Sequence, residues 1–409
     1  MFVYRILVSL LAIVALASAL RRGGPPLVRA RLAGGGVPEP GPHLWWHGAS
    51  NGELASARPV LEAVLRARPD LRVVLTANTA TGLALARGWA LDRVTVRPAP
   101  LDLGWVTRRF IRRWDIIAHV TLESELWPHR IRACPGPVIV LGARMTARTA
   151  RGWARLPRLA AELTGRLSFV SAQDQGSADR LAALGLPHAA RGPVADLKAL
   201  YTPPRPDIPA DLAQAFARET TWLAASTHEG EEEIVLDAHA AARAADPALR
   251  LILAPRHARR GDAVAALAQR RCLTVARRSR NEAPRDADIY LADTMGEMPL
   301  WYALAGRVFV GGTLVARGGH TPYEPAAFGA ALLHGPDVAN HAAPFARLEG
   351  IALPVRDASK LAQGLAALAP PERQRDAGAR AKAALRAETD VDGLVQEIVT
   401  RLPQHVEET

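Results

Sequence analysis

The sequence predicts an α/β protein made of two facing, doubly wound domains behind an N-terminal membrane anchor. Short apolar strands alternate with helices over residues 44–184, and the same alternation starts again at residue 221. The strands are continuous apolar runs, which is typical of parallel sheets covered on both faces. The Pro-rich segment Thr202–Pro209 separates the two halves. We therefore expect an anchor over 1–22 and domains over 35–201 and 210–403, since 409 residues suit two domains of ordinary size.

The anchor is predicted from the uncharged, apolar run Ile6–Leu20, which lies between Arg5 and the pair Arg21-Arg22. With its flanking residues the run is long enough to span a bilayer. The arginines that follow it favour a cytoplasmic position for the rest of the chain. Because Ala17-Ser18-Ala19 is similar to a cleavage site, a cleaved signal peptide is the alternative. Gly34–Gly41, rich in Gly and Pro, is the expected linker.

In the first half, period-two and continuous apolar patterns predict strands, and amphipathic patterns predict helices. The predicted strands are 44–47, 72–76, 93–96, 116–122, 137–141 and 168–172, and the predicted helices begin near 50, 79, 106 and 177.

The second half repeats this organisation and ends in an Ala-rich helical region, 358–401. Its predicted strands are 221–225, 251–254, 273–276, 288–292, 308–310 and 330–333.

The stretch Gly311–Pro336 has the strongest local signal for a binding site. Two glycine pairs follow a buried strand, and Thr321, Pro322 and Glu324 then have the spacing of a helix N-terminus. Free backbone N–H groups and the helix dipole at such a turn favour an anion such as a phosphate. Two tight turns and a capped helix are the structural alternative.

The capping-box spacing S/T-x-x-E occurs after four of the predicted strands, where helix N-termini meet the carboxyl ends of a parallel sheet. The four pairs are Ser50/Glu53, Ser226/Glu229, Thr294/Glu297 and Thr321/Glu324.

Composition limits the partners. The formal net charge of +11 favours an anionic partner such as a membrane surface or a phosphorylated substrate, and no nucleic-acid-binding motif is present. Cys134 and Cys272 are isolated, which fits a reducing compartment. The acidic pairs Asp286/Asp288 and Asp390/Asp392 do not follow strand ends, so we expect neither a metal nor a cofactor.

With these residues in view, the chain resembles the Kdo (3-deoxy-D-manno-octulosonic acid) transferases over nearly its whole length. The segments that carry the resemblance are WWHGASNGE (45–53), TLESELWP (121–128), GARMTARTARGW (142–153), AASTHEGEEE (224–233), LAPRHARR (253–260), DTMGEM (293–298) and FVGGTLVARGGHTPYEPAAFG (309–329).

The resemblance implies a glycosyltransferase with two Rossmann-like domains (GT-B type) that transfers Kdo from CMP-Kdo to a lipid A precursor, lipid IVA, with inversion and without a metal. It also implies an inner-membrane enzyme of lipopolysaccharide assembly, with an acceptor-binding first domain and a donor-binding second one. Glu53 would be the catalytic base, with Glu123 and Glu125 as further acidic site residues. The donor-binding residues would be Ser226, Thr227, Arg256, Met295, Gly296, Glu297, Gly312, Thr313 and Glu324.

The residue chemistry adds one conflict. Glu53 is predicted to lie in a capping box, and a carboxylate at a helix N-terminus should have a lowered pKa, which weakens a base.

The chain also departs from the family pattern at Gly142, Thr321 and Ala195; the last replaces a lysine, and Lys198 is out of register with it. A divergent paralogue with another nucleotide sugar or acceptor, or an inactive membrane-anchored binding protein, therefore remains an alternative.

Overall fold

The computed structural model describes residues 2–203, 206–284, 287–386 and 390–404. Its residues group into two compact units, Met1–Leu200 with Ala387–Thr409, and Tyr201–Arg386. Each unit is built on a parallel β-sheet, which confirms the predicted α/β class with two Rossmann-like domains. Of the predicted linker, Pro204 and Arg205 lie outside the described residues, as does Asp286 of the first acidic pair.

The strands were predicted to within a few residues, apart from the two-residue β13. They are β1 His43–Gly48, β2 Arg72–Ala77, β3 Val94–Pro98, β4 Ile116–Leu122, β5 Val138–Ala143, β6 Leu167–Ala172, β7 Thr221–Thr227, β8 Arg250–Pro255, β9 Val275–Arg277, β10 Ile289–Leu291, β11 Arg307–Val310, β12 Ala331–His334 and β13 Leu353–Pro354.

The sequence analysis missed several short helices between the strands. The helices are α1 Phe2–Arg31, α2 Asn51–Ala67, α3 Ala80–Gly88, α4 Gly104–Arg113, α5 Pro128–Ala133, α6 Ala147–Ala154, α7 Pro157–Thr164, α8 Gln175–Ala183, α9 Ala210–Ala215, α10 Glu231–Ala245, α11 Gly261–Gln269, α12 Met298–Leu304, α13 Tyr323–Ala327, α14 Ala342–Arg347, α15 Ala358–Ala367, α16 Pro371–Leu385 and α17 Val391–Arg401.

The strand order fixes where each unit can bind a ligand. In the described part of the first unit the order is β3-β2-β1-β4-β5-β6, and in the second it is β13-β12-β11-β7-β8-β10-β9. The direction of winding reverses between β1 and β4, and between β7 and β11. In open α/β sheets ligands bind at such reversals, beyond the carboxyl ends of the strands. At each reversal the carboxyl ends of the two neighbouring strands lie side by side. His47 near the end of β1 pairs with Thr121 of β4, and Val310 at the end of β11 pairs with Ala225 of β7.

Both faces of each sheet are covered by apolar side chains. Trp45 and Trp46 are successive residues of β1, so their side chains point to opposite faces, and both are buried. Trp46 packs in the core under α2, whereas Trp45 packs against Phe110 of α4. In the second unit Trp222 of β7 and Phe309 of β11 belong to a core completed by α10 and α15.

The last helix, α17, belongs to the first unit. Its apolar residues Leu394, Val395 and Ile398 pack with Leu61 of α2 in one core. The predicted range 210–403 had assigned this segment to the second domain. The two assignments differ because the amphipathic pattern of α17 indicates a buried face but not which sheet that face covers.

The N-terminal helix α1 is kinked. Gly24 has φ 62° and ψ −164°, and Pro25 and Pro26 follow it. Among the described residues, this is the helix that is long and apolar enough to cross a membrane, by length and composition, over Tyr4–Arg31. Because the backbone of Gly24 is not helical, it divides α1 into two helical segments, and the first of them ends close to the predicted end of the anchor at residue 22.

Candidate functional site

Glu53 lies in the first turn of α2, directly after β1. Its carboxylate accepts hydrogen bonds from the Ala49 N–H at 2.8 Å and from the Ser50 hydroxyl at 3.0 Å. The Ser50 oxygen accepts from the Glu53 N–H at 3.4 Å. Ser50 and Glu53 thus form the predicted capping box, with the carboxylate reaching one residue further back than usual.

The pKa of Glu53 is about 7, raised first by burial of the carboxyl and then by the neighbouring Glu123 carboxylate. The hydrogen bonds from Ala49 and Ser50 act in the opposite direction and do not offset these effects. The expected lowering of this pKa is therefore wrong, because the helix terminus is buried beside a second carboxylate rather than exposed to water. A carboxyl with a pKa near neutrality suits a general base.

Glu123 follows β4 with a left-handed backbone, φ 50°. A non-glycine residue in this region costs about 1–3 kcal/mol, and such residues are enriched at functional sites. Its carboxylate pairs with the Lys198 ammonium at 2.8 Å. Glu53, Glu123 and Lys198 line one pocket together with Gln173 and Asp196.

Lys198 lines the same pocket, although the sequence analysis placed it out of register with the lysine of the family pattern. Lys198 lies in a 3₁₀ turn, Leu197–Leu200, that packs on α2. This turn places the Lys198 side chain in the pocket. Ala195 is instead buried in the core beneath. Sequence spacing alone could not show this, because the direction of a lysine after a strand depends on the turn that follows.

Glu125 is held differently from Glu53. Its Oε2 accepts from His47 Nε2 at 3.0 Å, Trp127 Nε1 at 2.6 Å and Asn78 Nδ2 at 3.2 Å. Burial alone would raise the pKa of Glu125, but the hydrogen bond from His47 and then the one from Trp127 lower it to about 2. Burial also lowers the pKa of His47 to about 4, so the ring is neutral at pH 7. Glu125 is therefore ionised at neutral pH and a weaker base than Glu53, and its hydrogen bonds order the side chains of His47, Asn78 and Trp127.

In the second unit, the predicted donor-binding residues lie at the carboxyl ends of the parallel strands or in the segments that follow them. Ser226 and Thr227 end β7, Arg256 follows β8, Met295, Gly296 and Glu297 follow β10, Gly312 and Thr313 follow β11, and Glu324 lies in α13.

The expectation that the backbone N–H groups of this turn are free to bind a phosphate is wrong for Gly312 and Thr313. Both N–H groups donate hydrogen bonds to a carboxylate of the protein itself. Glu231, fully buried in the first turn of α10, accepts from the N–H groups of Gly312 at 2.7 Å, Thr313 at 3.0 Å and Leu314 at 2.9 Å. It also accepts from the His228 N–H at 2.9 Å. The anion that this turn holds is therefore Glu231 itself. The sequence offered no signal for this, since Glu229 has the capping spacing and three further glutamates follow it.

Three of the four predicted capping boxes do not form. Helix α10 begins at Glu231, so Ser226 and Glu229 do not cap it. Glu297 pairs with Arg278 at 2.7 Å and with the Thr294 hydroxyl, without capping α12. Helix α13 is five residues long and has no side-chain cap. In each case the strand-end loop is longer than the motif allows, and the acidic side chain turns to another partner.

Exposed and strained groups lie at the same strand ends. Arg256 and Met295 are exposed, Ser226 has φ 56°, and Gly296 has φ 90°. Glu324 raises the pKa of Tyr201, after the larger effect of burial. Among the described residues, no group of three or more His, Cys, Asp or Glu side chains could hold a metal ion.

The fold is that of nucleotide-sugar enzymes with two Rossmann-like domains. The UDP-GlcNAc 2-epimerase from Neisseria meningitidis, solved bound to UDP-GlcNAc, covers 88% of this chain and 100% of its own, with a TM-score of 0.57 at 11% identity. At this identity the similarity concerns the fold alone.

Sequence comparison is more specific. Residues 27–200 match the family described as 3-deoxy-D-manno-octulosonic-acid transferase (Kdo transferase). The 3-deoxy-D-manno-octulosonic acid transferase of Haemophilus influenzae is 34% identical over 316 residues, which is 74% of each chain. That of Bordetella pertussis is 34% identical over 403 residues, covering 88% of this chain and 93% of its own. The chain belongs to the Kdo transferase family and is a glycosyltransferase.

Proposed function

We propose that this enzyme transfers Kdo from CMP-Kdo to a lipid A precursor, lipid IVA, in lipopolysaccharide core assembly. The observation that carries the proposal is Glu53, whose pKa of about 7 and position at the reversal between β1 and β4 suit a base. It lies within the part of the chain, 27–200, that matches the family.

In the proposed reaction the acceptor hydroxyl gives its proton to the Glu53 carboxylate. The hydroxyl oxygen then forms a bond to the anomeric carbon of Kdo, and the bond from that carbon to the phosphate oxygen breaks. The electron pair leaves with CMP, so that the configuration inverts. Glu123, held by Lys198, keeps the Glu53 carboxyl basic, while Glu125 orders the side chains of His47, Asn78 and Trp127.

The donor would bind to the second unit. Arg256 can donate two parallel hydrogen bonds to a phosphate, which stabilises the charge that develops on departing CMP. Ser226, Thr227 and the segment Met295–Glu297 would complete the donor site, with Glu324 near the ribose. Gly312 and Thr313 would shape this site through their backbone rather than donate to the phosphate, since Glu231 accepts from both amides.

We also propose an inner-membrane location, with α1 as a single anchor and the two domains in the cytoplasm. The length and apolar composition of Tyr4–Arg31 support the anchor, and Arg21 and Arg22 support the orientation. The net charge of +11 would add attraction to anionic lipid.

The test is a turnover assay of the full-length protein with CMP-Kdo and a tetra-acylated lipid A precursor, with product masses measured directly. The expected product is heavier than the acceptor by one or more Kdo units, with release of CMP. Binding of CMP without any product would instead support another acceptor. Turnover of a UDP-sugar in place of CMP-Kdo would contradict the proposed donor.

A further inference from the structure

Two histidines that the proposed reaction does not use lie together in the second unit. His228 follows β7, and His320 ends the glycine loop after β11. Their Nε2 atoms are 2.9 Å apart, and the ring planes lie 7° from parallel with centroids 5.1 Å apart, so the rings meet edge to edge through these nitrogens. The pair thus bridges the two loops at the reversal of the strand order, where a ligand of this sheet is expected.

The backbone around the rings is built to bring them together. Glu231 accepts from the N–H groups of both His228 and Gly312, and so ties the two loops to one carboxylate. Gly312 has φ 71°, and a Cβ there would lie 3.2 Å from His320 and 3.5 Å from His228. The left-handed backbone therefore favours glycine at this position, and any other side chain would also make a tight contact with His320.

The distance between the ring nitrogens constrains the protons. At 2.9 Å one Nε2 must carry a hydrogen and the other must accept it. Outside this hydrogen bond, a neutral pair therefore has one Nδ1–H and one Nδ1 lone pair. A pair with one additional proton has two Nδ1–H donors outside the shared hydrogen bond. Protonation thus doubles the donors that the pair can present to an anion.

The surroundings keep the free pair neutral. Burial is the largest effect in lowering the pKa of each ring, to about 4 for His320, and neighbouring positive groups lower both further. The charged and titratable groups that face the pair are Arg256, His257 and Arg260 after β8, Arg317 in the glycine loop, and Glu231 of α10. A bound phosphate would neutralise the arginines and accept from the rings, and both effects favour the protonated pair.

We propose that His228 and His320 are a proton-sharing catalytic pair, which takes up one proton when the phosphate of the nucleotide donor binds and donates hydrogen bonds to that phosphate as it departs. This inference rests on the proposed CMP donor. During transfer the acceptor proton goes to Glu53, and the phosphate changes from a singly charged diester to a doubly charged monoester. The proton of the pair stays between the rings and the phosphate oxygens, so the step needs no other reactant.

Calorimetric titration of the full-length protein with CMP at pH 7, in buffers of different ionisation enthalpy, measures the protons exchanged. We expect wild type to take up between about half a proton and one proton per CMP bound, because linkage equates uptake with the rise in proton affinity. CMP itself can only release protons, about a tenth at this pH, since its second pKa is near 6. Cytidine, which lacks the phosphate, should cause no uptake.

The variants His228→Gln and His320→Gln should lose the uptake and bind CMP roughly 10- to 100-fold more weakly, the usual effect of losing a charge-assisted hydrogen bond. His188→Gln, at an exposed position of the first unit, is the control and should behave like wild type. Loss of uptake in His257→Gln together with its retention in His320→Gln would overturn the assignment to this pair.

A second measurement needs no variant. The imidazole ¹⁵N resonances of wild type should show one neutral pair without CMP and one added proton, shared by two rings, with CMP. Tight CMP binding without proton uptake and without this change would overturn the pair while leaving the proposed function intact. Failure of CMP to bind at all would contradict the proposed donor, and the pair with it.

Discussion

At the scale of single residues, Glu53 has two properties that the sequence suggested were in conflict, a capping position and a raised pKa. Its carboxylate caps α2 and yet has a pKa of about 7, because burial and Glu123 outweigh the capping hydrogen bonds. Capping and basicity are compatible here because the helix N-terminus is buried beside a second carboxylate.

Glu53→Gln separates the two properties. Gln keeps the shape and can cap the helix, but it cannot take a proton, so we expect turnover to fall by roughly 10²–10⁴-fold with CMP binding unchanged. Glu62→Gln, a partly exposed position on the same helix paired with Arg58, is the control and should retain activity. Wild-type turnover in Glu53→Gln would show that the residue only caps.

The pH dependence tests the neighbours of Glu53. Because the ionised form is the base, kcat/KM should rise with pH through a midpoint near 7. Lys198→Met removes the positive partner of Glu123, so the Glu53 pKa should rise and the midpoint should move up by about one pH unit. Glu123→Gln should move it down.

Lys360→Met, at an exposed position on α15, is the control for Lys198→Met and should leave the profile unchanged. A midpoint that does not move in Lys198→Met or in Glu123→Gln would exclude Glu123 as a determinant of the base.

At the scale of elements, the glycine loop after β11 depends on α10. Three consecutive N–H groups of the loop and the N–H of His228 all donate to Glu231. A nest of amides that usually holds a bound anion is therefore occupied from within, and the loop is ordered before any ligand binds.

Glu231→Gln should loosen this loop. One amide oxygen replaces two carboxylate oxygens, and its NH₂ group faces backbone donors, which costs about 1–3 kcal/mol for a buried unsatisfied group. We expect a lower melting temperature and weaker CMP binding. Glu229→Gln, two residues earlier and with an 81% exposed side chain, is the matched control. Equal melting temperatures and CMP affinities in the two variants would contradict this role of Glu231.

At the scale of the whole molecule, α1 has both buried and exposed apolar residues. Val8, Ala12 and Ala19 are buried, the Tyr4 hydroxyl donates to Asp102 at 2.5 Å, and several large side chains between Ile6 and Leu20 are exposed. The segment is thus attached to the first unit without completing its main core.

Deleting residues 1–22 should release the protein from membranes and leave CMP binding intact. The core under α2 contains none of these residues, so the first unit should still fold. Sedimentation with vesicles containing anionic lipid measures release, and residual binding should disappear with salt. Tyr4→Phe in the full-length chain is the control and should stay membrane-bound. Misfolding of the truncated protein would show that α1 belongs to the folding unit.

The sequence predicted the strands and the two parallel sheets, because buried apolar runs are local features. The sequence did not predict which glutamate after β7 accepts the hydrogen bonds of the glycine loop. Glu229, Glu231 and Glu233 are similar in sequence, and only the packed loop distinguishes them. The pKa of Glu53 also depends on Glu123, which is distant in sequence. The position of Lys198 likewise depends on α2, on which its turn packs.

The return of α17 to the first unit has a consequence for synthesis. The core under α2 needs Leu394, Val395 and Ile398, which are translated after the whole of Tyr201–Arg386. Domains commonly fold in the order in which they leave the ribosome. In this protein the continuous second unit can fold first, while the unit that starts the chain stays open until translation is nearly complete. A premature stop codon before residue 390 should therefore damage the amino-terminal half of the enzyme most.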